Sequence, residues 1–332
     1  CYNGDSSFLF CKEVKPMSFK LAVINKLSPE RIEALKSAVP GAEVVAFSSM
    51  KEALPQLGDA DAVAMWGFQD AEPVLAAAPH VRWVHSLSDG VEKLLTPSMM
   101  ERPIILTNSH GVHDKSVSEH TMALLLSWFH RIPEAVRNQD AHQWKRPKGD
   151  ILYKKKLLIV GFGGIGRAVA EKARVFGMSV GAVKRSRTDE LFADEVFSTE
   201  DIMTALPAAD VILAALPATP DTERFFDEKK FAAMKPGALF INVARASVVD
   251  EDALIAALRS GRLAGAALDV FSKEPLPADH PFWDMPNVIM TPHTASMTPD
   301  FWDRLLDLLR ENFIAFSLGQ PMLNVIDKKK GY

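Results

Sequence analysis

Short apolar runs alternate with segments of helical period along almost the whole chain, and this alternation predicts the fold. Leu21–Ile24, Val44–Phe47, Ala62–Trp66, Val81–Val84 and Ile104–Thr107 have the length and residue types of strands. Between them lie helix candidates. Pro29–Val39 carries Ile32, Leu35 and Ala38 on one face, with Ser28 in the N-cap position and Pro29 at the first helical position; Glu72–Ala78 is a second candidate. Strands that alternate with helices imply a parallel sheet covered on both faces. One such sheet fills residues 18 to about 110. A longer helix is predicted over Ser116–Arg131, followed by a polar, proline-bearing surface connection over Asn138–Ile151. A second alternation runs from Lys156–Val160 to about Pro292. The amphipathic segment Pro299–Leu318 (Phe301, Leu305, Leu306, Leu309, Phe313, Phe316) closes the pattern and is placed to pack back on the first sheet.

At 332 residues the chain exceeds one compact core, so two domains are expected. A net charge of −4 argues against a nucleic-acid partner, which selects for a basic excess. No apolar run approaches the roughly 20 residues of a membrane-spanning helix, so no membrane association is expected. Residues 1–16 differ in character from the rest of the chain and lack the basic start and apolar stretch of a signal peptide. Met17 leads directly into the first strand, and the preceding segment is expected to be a foreign, vector-type remnant. Both cysteines, Cys1 and Cys11, fall within it. The remaining chain therefore offers no thiol nucleophile, cysteine-based zinc site or disulfide framework, which fits a reducing, cytoplasmic setting.

Leu157–Val160 runs straight into Gly161-Phe162-Gly163-Gly164-Ile165-Gly166, and Arg167–Ala170 can open a helix. In this strand–turn–helix context the glycines match a dinucleotide loop. Gly161 allows the tight turn, Gly163 lets the backbone approach a pyrophosphate, and Gly166 permits close packing of helix on strand. An NAD-preferring domain places an acid at the end of the next strand, where this chain has Lys184, Arg185, Ser186 and Arg187, with Asp189 as the nearest acid. Three cations and a hydroxyl suit a ribose 2′-phosphate. NADP(H) is the expected cofactor, with NAD(H) as the second choice.

Three residues suited to carbonyl chemistry lie in loops just after apolar runs: Arg245 within Ile241–Asp250, Glu274 within Leu268–Pro277, and His293 within Asn287–Ser296. Together with the glycine loop, the segments Asn242–Arg245…Asp250-Glu251, Gly265–Phe271…Glu274-Pro275 and Pro292–Ala295 resemble the D-isomer-specific 2-hydroxyacid dehydrogenases, which include glyoxylate/hydroxypyruvate reductases. The similarity spans about residues 18–327. It implies an α/β fold of two doubly wound parallel-sheet domains. One is a Rossmann-type dinucleotide-binding domain (116–297), the other a flavodoxin-like, discontinuous substrate domain (17–115 with 298–332).

The resemblance also implies roles. Arg245 would bind the substrate carboxylate and polarise the C2 carbonyl. His293 would be the proton donor, and Glu274 would orient it and favour its imidazolium form. Asp269 would anchor the nicotinamide carboxamide, with Val112 packing nearby. Leu216, Pro217 and Thr222 would border the cofactor ribose, with Val243 and Ala244 in contact with the cofactor. Ser88, Asp89, Gly90 and Val91 would form the substrate loop, whose backbone N–H groups cradle the carboxylate. Asp89 departs from the small residue usual there and is expected to point away from the anion. Ala246 replaces the usual glycine after the arginine, which would be costly at a positive φ. His120 is expected to be a helix-packing residue, and no metal is expected.

The implied activity is reduction of a small 2-oxo acid (glyoxylate, hydroxypyruvate or similar) to the D-2-hydroxy acid by a homodimer. Three alternatives remain open at this stage. A phenylpyruvate-type oxo acid could be the substrate, the chain could be a corepressor-like nucleotide-sensing scaffold of the same fold, or the hydride donor could be formate or phosphite. Formate-type relatives carry Gln-His where this chain has Glu274 and His293.

Overall fold

The first alternation builds a five-stranded, all-parallel sheet in the computed structural model, which describes residues 19–331. The expected foreign segment and both cysteines lie outside the described residues. The strands are β1 (Lys20–Val23), β2 (Glu43–Ala46), β3 (Ala62–Met65), β4 (Trp83–Ser86) and β5 (Ile105–Thr107), in the order β2-β1-β3-β4-β5. Helices α1 (Pro29–Ala38), α2 (Met50–Ala53), α3 (Glu72–Ala77) and α4 (Pro97–Glu101) make the crossovers. Every residue of β3 and β4 is buried, as expected of strands covered on both faces. Ser28 stands at the N-cap of α1, but its hydroxyl accepts no capping hydrogen bond.

Next come α5 (Asp114–Phe129) and α6 (Ile132–Asp140). The sequence pattern extends α5 to Arg131 and shows no second helix, whereas the chain breaks at Arg131. That residue adopts a left-handed φ of 56°, and Pro133 then supplies a helix-ready φ in the first turn of α6. No residue of α6 is buried: Ile132 and Val136, four residues apart on one face, point outward.

The second sheet is also all-parallel, with seven strands: β6 (Lys156–Val160), β7 (Ser179–Lys184), β8 (Glu195–Ser198), β9 (Val211–Ala214), β10 (Ala238–Asn242), β11 (Leu263–Leu268) and β12 (Val288–Met290). Their order is β12-β11-β10-β9-β6-β7-β8. Helices α7 (Gly164–Val175), α8 (Ile202–Ala205), α9 (Glu228–Ala233) and α10 (Glu251–Arg259) accompany them. The two strand orders are those of flavodoxin-like and dinucleotide-binding sheets, where ligands lie beyond the carboxyl ends of the strands.

The last helix, α11 (Phe301–Ser317), returns to the first sheet. Its Leu305, Leu309 and Phe313 share a core with Leu21, Val23 and Trp83. Each such fully buried side chain contributes about 1.5–3 kcal/mol. No helix among the described residues is long and apolar enough to cross a membrane.

Candidate active site

Gly161 turns the chain out of β6 with a φ of 99°, and a β-carbon there would overlap the Ala215 carbonyl. Both facts demand glycine. Gly163 is the N-cap of α7 and offers no side-chain cap, while the position its β-carbon would occupy is open space. The start of this helix therefore carries unpaired N–H groups beside an open position, the arrangement by which helix N-termini hold phosphate groups. Gly166 packs against the Gly161 carbonyl, Gly164 lies against the Asp114 carboxylate, Phe162 is buried, and Ile165 is partly buried against the second core.

Lys184 ends β7, and Arg185, Ser186 and Arg187 are exposed beyond it. The acid that matters here is Glu190 rather than Asp189. Arg167 donates to both Glu190 oxygens at 2.9 Å, and Lys184 donates to Glu190 and, at 2.9 Å, to Thr188 Oγ1. The Arg167 bonds, reinforced by Lys184, hold the Glu190 carboxyl down to about 2. Lys184 is thus committed to a neighbour, and Arg185 lies 3.9 Å from Asp221. In the loop after β9, Thr222 Oγ1 donates to the Pro217 carbonyl at 2.6 Å and accepts from Thr219 N at 2.8 Å. Leu216 and Thr222 are buried.

The three polar residues of the last third emerge from the ends of adjacent strands. After β10, Asn242 brackets the turn that carries Arg245: its Oδ1 accepts from Ala244 N and its Nδ2 donates to the Arg245 carbonyl, both at 3.0 Å. Val243 and Ala244 are buried here. Ala246 opens a short 3-10 turn (Ala246–Val248) and is not among the residues with positive φ, so its substitution for glycine carries no strain. After β11, Glu274 is aimed by its own loop: Oε1 accepts from Phe271 N at 3.0 Å, and Oε2 lies 2.8 Å from His293 Nδ1. A carboxylate on Nδ1 fixes the proton there and leaves Nε2 as the nitrogen available for exchange.

His293, beyond β12, has a left-handed φ of 53°. Asp269 clamps this turn. Its side chain, 1% exposed, accepts from Thr294 N at 2.9 Å, Ala295 N at 3.1 Å and Thr291 Oγ1 at 2.6 Å. Because the Thr291 hydroxyl proton goes to Asp269, His120 Nε2, 2.9 Å from Thr291 Oγ1, is the donor in that pair. His120 thus belongs to the support of the His293 turn as well as to helix packing.

From the other sheet, the loop after β4 is folded by hydroxyls. Ser86 Oγ lies 2.9 and 2.8 Å from the carbonyls of Ser88 and Gly90 and shares its one proton between them, and Gly67 N donates to Ser88 Oγ at 3.0 Å. Beneath it His85 is wholly buried, which pushes its imidazole down to about 3 and keeps it neutral. Ser109 Oγ donates to the Ser86 carbonyl at 2.7 Å, so His85 Nε2–H donates to Ser109 Oγ, and Nδ1 accepts from Thr107 Oγ1 at 2.8 Å. Asp89 is turned onto His110, 3.0 Å from its Nδ1, and Val91 and Val112 are buried.

Glu92 was not legible as a site residue. Arg245 Nε donates to its Oε1 at 3.2 Å across 153 positions of sequence, directly over Gly90. A glutamate two residues past a glycine has no local signal that separates it from a solvated acid. Glu190 was likewise hidden, three residues past the basic turn. Among the described residues no group of three or more His, Cys, Asp or Glu is arranged to hold a metal ion.

Comparison with known proteins agrees with this layout. A family model described as D-isomer specific 2-hydroxyacid dehydrogenase, NAD binding domain, matches residues 122–295. The glyoxylate/hydroxypyruvate reductase B of Pectobacterium atrosepticum is 33% identical over 292 residues, covering 86% of this chain and 90% of that protein. A D-isomer specific 2-hydroxyacid dehydrogenase family protein from Aeromonas salmonicida superimposes with a TM-score of 0.85 at 34% identity, covering 94% of this chain and 99% of the other. An NADPH-dependent glyoxylate/hydroxypyruvate reductase from Sinorhizobium meliloti, solved with NADP and sulfate, gives a TM-score of 0.83 at 28% identity over 95% of this chain and 100% of that one. With its two parallel sheets and an NAD-binding domain matched over more than half its length, the chain belongs to the D-isomer-specific 2-hydroxyacid dehydrogenases and is an oxidoreductase.

Proposed function

We propose that the protein reduces small 2-oxo acids, glyoxylate or hydroxypyruvate among them, to D-2-hydroxy acids with NADPH. The observation that carries the reading is the meeting of Arg245, from the second sheet, with Gly90, from the first, while Glu274 holds His293 by Nδ1. In this reading residues 17–115 with 298–332 form the substrate unit and 116–297 the cofactor unit. The N–H groups of the Ser88–Val91 loop and the Arg245 fork receive the carboxylate, and Arg245 also polarises the C2 carbonyl. His293 Nε2 gives its proton to the carbonyl oxygen, and Glu274 keeps the ring aimed and balances its charge. When bound, the nicotinamide supplies the hydride to C2.

Gly161–Gly166 cradle the pyrophosphate, and Arg185, Ser186 and Arg187, with Lys184 behind them, take the 2′-phosphate. Val112, Leu216, Pro217, Thr222, Val243, Ala244 and Asp269 line the cofactor. The NADP bound by the Sinorhizobium meliloti relative supports the choice of donor. Exposed Ile132, Val136, Trp144, Ile151 and Tyr153 support a homodimer.

Two variants test the reading. His293→Ala is expected to keep NADPH affinity and lose at least about a hundredfold in turnover; near-normal turnover removes His293 from its role. Arg185→Asp is expected to move preference toward NADH, and an unchanged preference removes the basic turn from cofactor choice.

One observation favours a larger substrate. Phe68, Trp66, Phe301 and His113 form a ladder of near-parallel rings, with successive centroids 5.7, 6.4 and 5.5 Å apart. It flanks Gly67, which is bonded to the substrate loop. A flat apolar side chain on C3 would find a stacking surface there. A panel of glyoxylate, hydroxypyruvate, pyruvate and phenylpyruvate separates the two, since a kcat/KM highest for phenylpyruvate selects the larger class.

A further inference from the structure

The slot over Gly90, assigned above to the substrate carboxylate, already holds a carboxylate of the chain itself. A β-carbon built on Gly90 would overlap Glu92 Oε2, and it would stand 2.6 Å from Glu92 Oε1 and 2.7 Å from Arg245 Nη2. Nothing can be seated against that face of Gly90 while Glu92 stays. Of the three Arg245 nitrogens, Nε is bonded to Glu92 at 3.2 Å and Nη1 to the Ala244 carbonyl at 2.9 Å. Both partners of the ion pair are about one-third exposed, at 35% and 36%, so Glu92 can swing into solvent without opening the core.

We propose that Glu92 sets the enzyme's affinity for its substrate: it occupies the anion slot between Gly90 and Arg245, and a 2-oxo acid binds by displacing it. The proposal rests on the functional reading above. A partly exposed ion pair of this kind is worth at most about 1 kcal/mol, equivalent to about fivefold in a binding constant. Two carboxylates held against one guanidinium also repel, so the incoming acid and Glu92 exclude each other electrostatically as well as sterically.

The test uses the full chain and its Glu92→Gln variant, which keeps size and removes the charge. Saturation kinetics with glyoxylate at fixed NADPH are paired with calorimetric titration of oxalate, a non-reducible carboxylate probe, into the NADP-loaded protein. The expected result is a fall of two- to fivefold in both the glyoxylate KM and the oxalate Kd, with the gain in kcat/KM carried by KM. Unchanged values overturn the proposal. A rise in KM or a drop in kcat also overturns it, because Glu92 would then serve to aim Arg245. Oxalate that binds neither form removes the slot itself. If the wild-type protein turns over no 2-oxo acid yet oxalate binds more tightly to the variant, the functional reading fails and the displacement by Glu92 stands.

Discussion

Replacing Asp269 with alanine should cost the protein both stability and turnover, by amounts that follow from its contacts. The carboxylate is 1% exposed and receives two backbone N–H groups and one hydroxyl from residues 291–295. Alanine leaves the N–H groups of Thr294 and Ala295 without that acceptor, at about 1–3 kcal/mol each where water does not replace it. The left-handed backbone of His293 stores about 1–3 kcal/mol and persists only where its surroundings over-determine it. Against these losses, the desolvation of a buried carboxylate is relieved. A net loss of about 2–4 kcal/mol is expected for Asp269→Ala, and about half of that for Asp269→Asn, which keeps one carbonyl acceptor. A relaxed turn carries the His293 ring away from Glu274, and a displacement of about 1 Å can cost on the order of a hundredfold in rate. Urea unfolding at pH 7.5 measures the first effect and saturating kinetics the second. NADPH affinity, titrated separately, isolates any role of Asp269 toward the nicotinamide. The reasoning is refuted if Asp269→Ala unfolds within about 0.5 kcal/mol of the wild type and retains its kcat.

Two further predictions use the same structure. Gly163→Ala meets open space and should leave the unfolding midpoint in place while weakening NADPH binding, whereas Gly161→Ala should lower the midpoint through overlap with Ala215 and a disfavoured φ; equal effects of the two on stability would contradict this geometry. His85 should make stability depend on pH, because its folded value near 3 lies below the ordinary 6.5. Only the unfolded state binds a proton between these values, so the contribution is complete above pH 6.5 and is lost as pH falls toward 3, amounting to about 2 kcal/mol by pH 5. Urea midpoints at pH 7.5 and 5 should therefore converge for His85→Gln relative to the wild type, and an identical pH slope in both would rule His85 out as the source.

What could be read in the sequence was whatever is local. The glycine loop is a strand, a turn and a helix within about 20 residues, so spacing alone revealed it. Arg245, Glu274 and His293 each follow a strand, and parallel topology brings strand ends to one edge of a sheet. The hidden features depend on distant pairing. Glu92 matters because of Arg245, Glu190 because of Arg167 and Lys184, and His120 because of Thr291, 171 positions away. Helix α6 is a different case: its apolar Ile132 and Val136 stand at helical spacing but face outward and join no core. The ring ladder escaped because its members come from the ends of β3 and α5 and from α11, and share no spacing.

The distribution of the site between the two sheets has a mechanical consequence. Arg245, Glu274 and His293 hang from β10, β11 and β12, which are neighbours in one sheet, while the Ser88–Val91 loop, which receives the carboxylate in the proposed reading, hangs from β4 in the other. In that reading an opening of the cleft parts the handle from the blade without dulling the blade: His293 keeps its alignment with Glu274, and the acid loses the loop's share of its grip while Arg245 stays with His293. On the proposed mechanism, mutation at the joint between the sheets would then tune product release without retuning the proton transfer.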